Sequence, residues 1–363
     1  MQSVCCDGEM QQPAAWESPK LSRFGVFHHI EQWNTAFISS KLPVALKCLA
    51  GVFQRLSFQT NFQSNPISAT CLSIELIELV VQLWQSTSDP TKAVLEVQKL
   101  AGDSMGFIRY ARAILEAVDA TNDSKIGNSC LISPISSMSR SSRMRLATAS
   151  VWSNLEMPTD ENAKISTFDV IRNMIKLRLT QSTLDYIWGL VDGPTTTADS
   201  TALILSKSIM SPTSDVEMEL SRFLLEIICE GEVSVFTPSS PHDEELVPIT
   251  DIGLETTAMH KALAMLSRSM RCSYAIGTNE LKTFLRVHCK HRLIPRLAVF
   301  VKSAKNFPHL AFFATTILSA LCTAIPETST RLLSKDDVEM AFRFGVTAHQ
   351  ALALACDELL MLM

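Results

Sequence analysis

Past the first 20 residues, apolar positions recur at helical spacing along almost the whole chain. The spacing predicts helices over about 26–39, 43–58, 70–86, 91–120 with a break near Gly102, 142–153, 162–190, 199–210 and 214–230. A second series follows near 255–275, 278–292, 296–304, 308–324 and 335–361. Asp89-Pro90-Thr91 and Ser211-Pro212-Thr213 read as stop-and-restart signals, because proline suits the first turn of a helix and disrupts its interior. Residues 1–20 are polar, carry Pro13 and Pro19, and read as an extended arm. Thr121 to Ser139 and Gly231 to Asp251 read as loops. The second contains Glu232-Val-Ser-Val-Phe236, the best short-strand candidate in the chain. No fixed-period repeat is present, which argues against a solenoid.

Composition agrees with a helical reading. The chain has 363 residues, 47% hydrophobic and 19% charged, with only 12 glycines and 3 tyrosines. Scarce glycine with abundant straight-chain apolar residues favours helix over sheet. The expected fold is therefore all-α, with at most one short β-hairpin. It comprises an arm at 1–20, a helical lobe at 21–235, a hinge at 236–254 and a basic helical lobe at 255–363, with a cleft between the lobes.

Charge changes the picture most. From Ser182 to Glu255 there are 14 acidic residues against Lys207 and Arg222, while from Thr256 to His309 there are 10 basic residues against Glu280. The whole chain carries only −5. Such asymmetry suggests a basic surface for a polyanion and an acidic surface for a neighbouring copy. Lys282, Arg286 and Lys290, spaced i, i+4, i+8, form one stripe, and Arg292 and Arg296 continue it. Lys261, Arg268 and Arg271 form a second stripe. Like charges at i, i+4 destabilise a free helix by roughly a few tenths of a kcal/mol per pair. A phosphate backbone would relieve that repulsion. Arg140, Arg143 and Arg145, with Arg172, Lys176 and Arg178, form a basic group in the first half that could line the other side of a cleft. The competing reading is a solvated face that salt-bridges the acidic segment of the same chain.

Other chemistry is thin. His288-Cys289-Lys290-His291 lacks the second ligand pair that zinc requires, and His28-His29 has no partner pair either. The sequence holds no G-x-S-x-G, H-E-x-x-H, P-loop or G-x-G-x-x-G. Glu75/Glu78 and Glu226/Glu230 read as the wet edges of amphipathic helices. No catalytic residue, metal ligand or cofactor is assigned. The ten cysteines are mostly isolated in apolar runs and read as reduced thiols of an intracellular protein. The start of the chain has no secretory signal. Asn306 to Pro326 is 21 residues without a charge, but its strongly apolar part is too short for a membrane span and reads as a buried core helix. Ser334 is placed to cap a terminal helix that ends in the apolar Leu359-Leu-Met-Leu-Met363.

Basic groups on both sides of a hinge, extended or apolar ends, and Phe342-Arg-Phe-Gly-Val-Thr-Ala348 resemble the nucleoproteins of negative-strand RNA viruses of the mononegavirus type, the small fungal mymonavirus members above all. The resemblance implies a non-enzymatic protein that coats single-stranded genomic RNA without sequence preference. It would grip phosphates between two lobes, form homo-oligomers through the N-terminal arm and the C-terminal tip, engage a viral polymerase, and reside in the virion and host cytoplasm. The alternative is an intracellular helical scaffold or adaptor that binds a protein partner, its basic and acidic halves neutralising each other internally. A third option is an enzyme with a site assembled from residues distant in sequence.

Overall fold

The computed structural model describes residues 16, 21–23, 34–38, 41–86, 92–122, 161–191, 201–231, 254–274, 282, 284, 292–324 and 333–363. The chain divides into two compact units, Met1–Ser139 with Arg343–Ala353, and Arg140–Phe342 with Leu354–Met363. This division follows Ser139. The charge pattern had placed a hinge at 236–254, yet the helices on either side of that stretch share the second unit.

The first unit overturns the all-α expectation, because it is built on a six-stranded sheet. Its elements are β1 (Ser22–Arg23), β2 (Thr35–Ile38), α1 (Leu42–Arg55), β3 (Gln59–Ser64), β4 (Ile67–Leu72), β5 (Glu78–Gln85), β6 (Ala93–Ala101) and α2 (Ser104–Asn122). The antiparallel order is β2-β6-β5-β4-β3, and β1 pairs parallel with β5 at Trp84 and Gln85. The predicted helix at 26–39 is therefore replaced by β2 where it is described, that at 70–86 by the end of β4, a turn and β5, and the first half of 91–120 by β6.

Why strands form here is clear from β5 and β6. Leu79, Val81 and Leu83 alternate along β5 and are fully buried, as are Leu95 and Val97 on β6. With α1 and α2 they form one core that includes Leu49, Phe53, Phe107 and Ile114. Residues at period two face one side of a pleated sheet. Val80 and Val94 on the opposite face are also buried, so the apolar run loses its alternation and mimics helical spacing.

The break foreseen near Gly102 is real, and it separates a strand from a helix. Gly102 has φ +96°, and a Cβ there would lie 2.8 Å from Ile77 Cα and 2.9 Å from Leu76 O. Only glycine accepts both the backbone angle and the close approach.

Trp16 belongs to this same core. It is 8% exposed, donates its indole N–H to the Ser68 carbonyl at 2.8 Å, and meets Phe62 edge-on at 4.6 Å between centroids. That part of the expected arm is packed into its own unit.

The second unit is helical. It contains α3 (Glu161–Lys176), α4 (Thr180–Val191), α5 (Thr201–Met210), α6 (Asp215–Glu230), α7 (Leu254–Tyr274), α8 (Leu293–Lys302) and α9 (Pro308–Ala324), with parts of α10 (Lys335–Ala348) and α11 (Gln350–Leu362). The central helix is α7, which packs against α4, α5, α6 and α9. Met259, Ala262, Leu263, Met265 and Met270 on it are fully buried. His260 of α7 meets His309 of α9 edge to face at 5.4 Å, and both rings are buried. Helix α6 opens with a capping box in which Ser214 accepts from the Glu217 N–H and Glu217 accepts from the Ser214 N–H. Ser334 accepts from the Asp337 N–H at 3.2 Å, as its position predicted.

Two predicted helices are each broken in two. The span 162–190 turns at Leu177-Arg178-Leu179, where Arg178 has φ 56°. The span 335–361 breaks at His349, whose Nδ1 accepts from the Leu352 N–H at 3.1 Å and so caps α11. Close packing accompanies this second break. A Cβ on Gly345 would lie 2.6 Å from Ala353 N.

Candidate interaction surface

Of the cations singled out by sequence, the described ones that fall in the second unit are Arg172, Lys176, Arg178, Lys261, Arg268, Arg271, Lys282, Arg292 and Arg296. Arg140, Arg143, Arg145, Arg286 and Lys290 lie outside the described residues, as do the His288–His291 cluster, His28-His29, the 232–236 strand and the 278–292 helix apart from residues 282, 284 and 292. The two described basic groups, expected on opposite lobes, therefore belong to one unit.

Burial explains the stripe on α7. Helix α7 is enclosed on most sides, and Lys261, Arg268 and Arg271 lie along the line it leaves open. Their side chains have no other direction in which to leave the core. Lys282 is exposed and Phe284 is fully buried, which agrees with the amphipathic sense of that segment.

Three of these nine cations meet carboxylates of the acidic segment. Lys261 pairs with Asp185 of α4. Arg172 of α3 pairs with Glu219 of α6 at 3.2 Å, and Arg292, just before α8, pairs with Glu230 at the end of α6 at 2.9 Å. All three carboxylates lie in the acid-rich stretch 182–255. Arg296 donates to the carbonyls of Ile228, at 3.2 Å, and Gly231, which the end of α6 leaves without intrahelical partners. A cation there also favours the negative end of the helix dipole. The Arg296 guanidinium lies 5.0 Å from the Phe300 ring centroid. Lys302 pairs with Asp337 at 3.3 Å. The Ser334 hydroxyl, with Lys302 beside it, holds the Asp337 carboxyl below its usual range.

A shallow open pocket lies beside this cluster, lined by Cys229, Glu230, Arg292, Pro295, Arg296 and Val299. Burial pushes the Cys229 thiol up despite the two nearby guanidinium groups, so it is no activated nucleophile. Among the described residues no three metal-ligating side chains gather.

Glu75 pairs with Arg109, and burial pushes the Tyr110 phenol up, with Glu75 adding to the effect. Glu78 does not sit on a helix edge. It begins β5, is 6% exposed, and its carboxyl is raised by burial. No described helix is long and apolar enough to cross a membrane.

One surface was missed in the sequence. At the α3–α4 corner Val170, Leu177, Leu179 and Tyr186 are exposed, Leu177 by 69%, and the exposed Lys176 and Arg178 alternate with the two leucines. Had the helix end at Lys176 been seen, Leu177 and Leu179 would have stood out as corner residues. In a continuous helix they simply extend the apolar stripe.

No known protein family matches the chain, and the searches of curated proteins and solved structures found no similar protein.

Proposed function

We propose that the chain is a non-enzymatic scaffold whose helical unit binds a protein partner. The observation that carries this reading is internal neutralisation. Arg172, Lys261 and Arg292 face Glu219, Asp185 and Glu230 of the same chain, and Arg296 faces carbonyls at the end of α6. Cations held in this way tie α3 and α8 to α6, and α7 to α4, instead of presenting a bare phosphate-binding face. The exposed apolar corner at Leu177 and Leu179 is the kind of surface that a protein partner covers.

Absorbance at 260 and 280 nm of freshly purified protein tests this reading, together with a salt titration of single-stranded RNA binding. The expected result is a protein-like ratio and weak RNA binding. A high ratio, with affinity falling by orders of magnitude between roughly 50 and 200 mM salt, overturns it.

The second reading is the RNA-coating, self-assembling nucleoprotein that the sequence resembles, with a viral polymerase as a further partner. It draws on Lys176, Arg178, Arg271 and Lys282, which are exposed. It also draws on the small worth of exposed ion pairs, about 0–1 kcal/mol, which a polyanion with many phosphates can displace.

A further inference from the structure

We propose that residues 354–363 of one copy dock on the α3–α4 corner of a second copy, joining chains head to tail. This rests on the protein-partner reading above and names the partner as another copy of the same chain.

The donor is one face of α11. Leu354 is 61% exposed and Met361 is 84% exposed, and they lie two turns apart on the same side of the helix. Asp357 and Glu358 are exposed between them on that face, and Leu362 and Met363 extend the apolar end. Leu359 points the other way and is buried, so the helix is anchored while this face stays open.

The acceptor has the same construction with the opposite charge. Val170 lies on α3 and Leu177 just past its end, seven residues on, where the Leu177 N–H still donates to the Asn173 carbonyl; Leu179 in the turn and Tyr186 on α4 continue the exposed apolar surface. Lys176 and Arg178 bracket Leu177, while Asp169 marks the far edge of the patch. Both patches belong to the second unit, and both remain exposed in a single chain. They therefore do not satisfy each other within one copy, and a second copy brings acid-flanked apolar side chains onto base-flanked ones. The two patches differ, so the contact is heterologous, and it builds rings or open chains.

The test uses the full chain, with mass measured by light scattering across a concentration series. Wild type is expected to rise from single-copy to multi-copy mass, and raised salt is expected to weaken the assembly. Variant K176E/R178E and variant D357K/E358K should each remain single-copy with unchanged circular dichroism. Mixed one to one they should assemble, because each restores the complementary sign for the other. A wild type that stays single-copy at its highest soluble concentration overturns the proposal and leaves the scaffold reading standing. So does assembly that either variant retains, or a mixture of folded variants that stays single-copy. Nucleic acid co-purification addresses the scaffold reading separately.

Discussion

Lys261 and Asp185, 76 residues apart in sequence, form an ion pair that ties the central helix α7 to α4. The lysine side chain is 14% exposed and the aspartate side chain 54%, so the pair straddles the edge of the core. Charge that looked available for a polyanion is used here to join two helices.

Lys261→Glu is therefore expected to lower the stability of the second unit by about 1 kcal/mol, since the half-exposed aspartate limits the gain from pairing. The K261D/D185K exchange should recover most of it. Urea unfolding checks both. An unchanged midpoint for Lys261→Glu would mean that the pair contributes nothing and that the cation is available to a ligand.

Trp16→Ala should destabilise the first unit by about 3 kcal/mol or more, because it removes a buried indole and leaves a cavity beside Phe53 and Phe62. Removal of residues 1–19 should do the same, whereas an arm that packs on nothing would be lost with little change in stability. Thermal unfolding followed by circular dichroism decides between these outcomes.

Burial raises the Glu78 carboxyl above its unfolded value, which makes the first unit pH-sensitive. A carboxylic acid with a raised folded pKa holds its proton more tightly in the native state. Its stabilising contribution is full below the unfolded carboxylate range and is lost as pH rises through the folded value. Glu78→Gln should stabilise the unit at neutral pH and flatten the decline between acid and neutral. Unfolding midpoints measured across that window are the check.

Glu217 runs in the opposite direction. Burial alone would raise it, but hydrogen bonds from the Ser208 hydroxyl and from Thr213 and Ser214 bring its carboxyl below the ordinary range. Its contribution is present above the unfolded carboxylate pKa and lost as pH falls through the lowered folded one. Ser214→Ala should cost about 1 kcal/mol through the missing cap, and Glu217→Gln should remove part of the acid sensitivity. Acid titration of helical signal measures the second effect.

The Cys356 thiol is pushed up to about 11 by burial, with the Thr315 hydroxyl opposing, and Cys71 is raised further still in the sheet core. In the native protein at neutral pH both should resist a thiol reagent, and both should react at once in denaturant. Peptide mapping after labelling shows this directly. Fast native labelling of Cys356 would mean that α11 opens readily.

The helical elements were legible where one face is wet. Helices α1, α6 and α8 fall close to their predicted spans because buried residues recur at helical spacing and a capping serine or a proline marks a boundary. Strands β5 and β6 were not legible, because burial on both faces fills in the alternation that identifies a strand. The helix breaks at Arg178 and His349 were missed as well. At neither is there a proline; the Arg178 turn is closed by local backbone bonds, such as the Leu179 N–H to the Met174 carbonyl at 3.1 Å, and the break at His349 brings Gly345 against Ala353.

The charge pattern itself is a property of sequence alone: an acid-rich stretch followed by a basic one, with the cations of α7 confined to a single line. Whether those cations meet phosphate or carboxylate depends on which helices lie alongside, and spacing along the chain carries no information on that. Helix α7 packs on α4, and α6 ends beside α8, so Lys261 reaches Asp185, Arg292 reaches Glu230 and Arg296 reaches the last carbonyls of α6. Periodicity orients a side chain about its own helix axis, whereas its partner is set by packing between elements far apart in the chain.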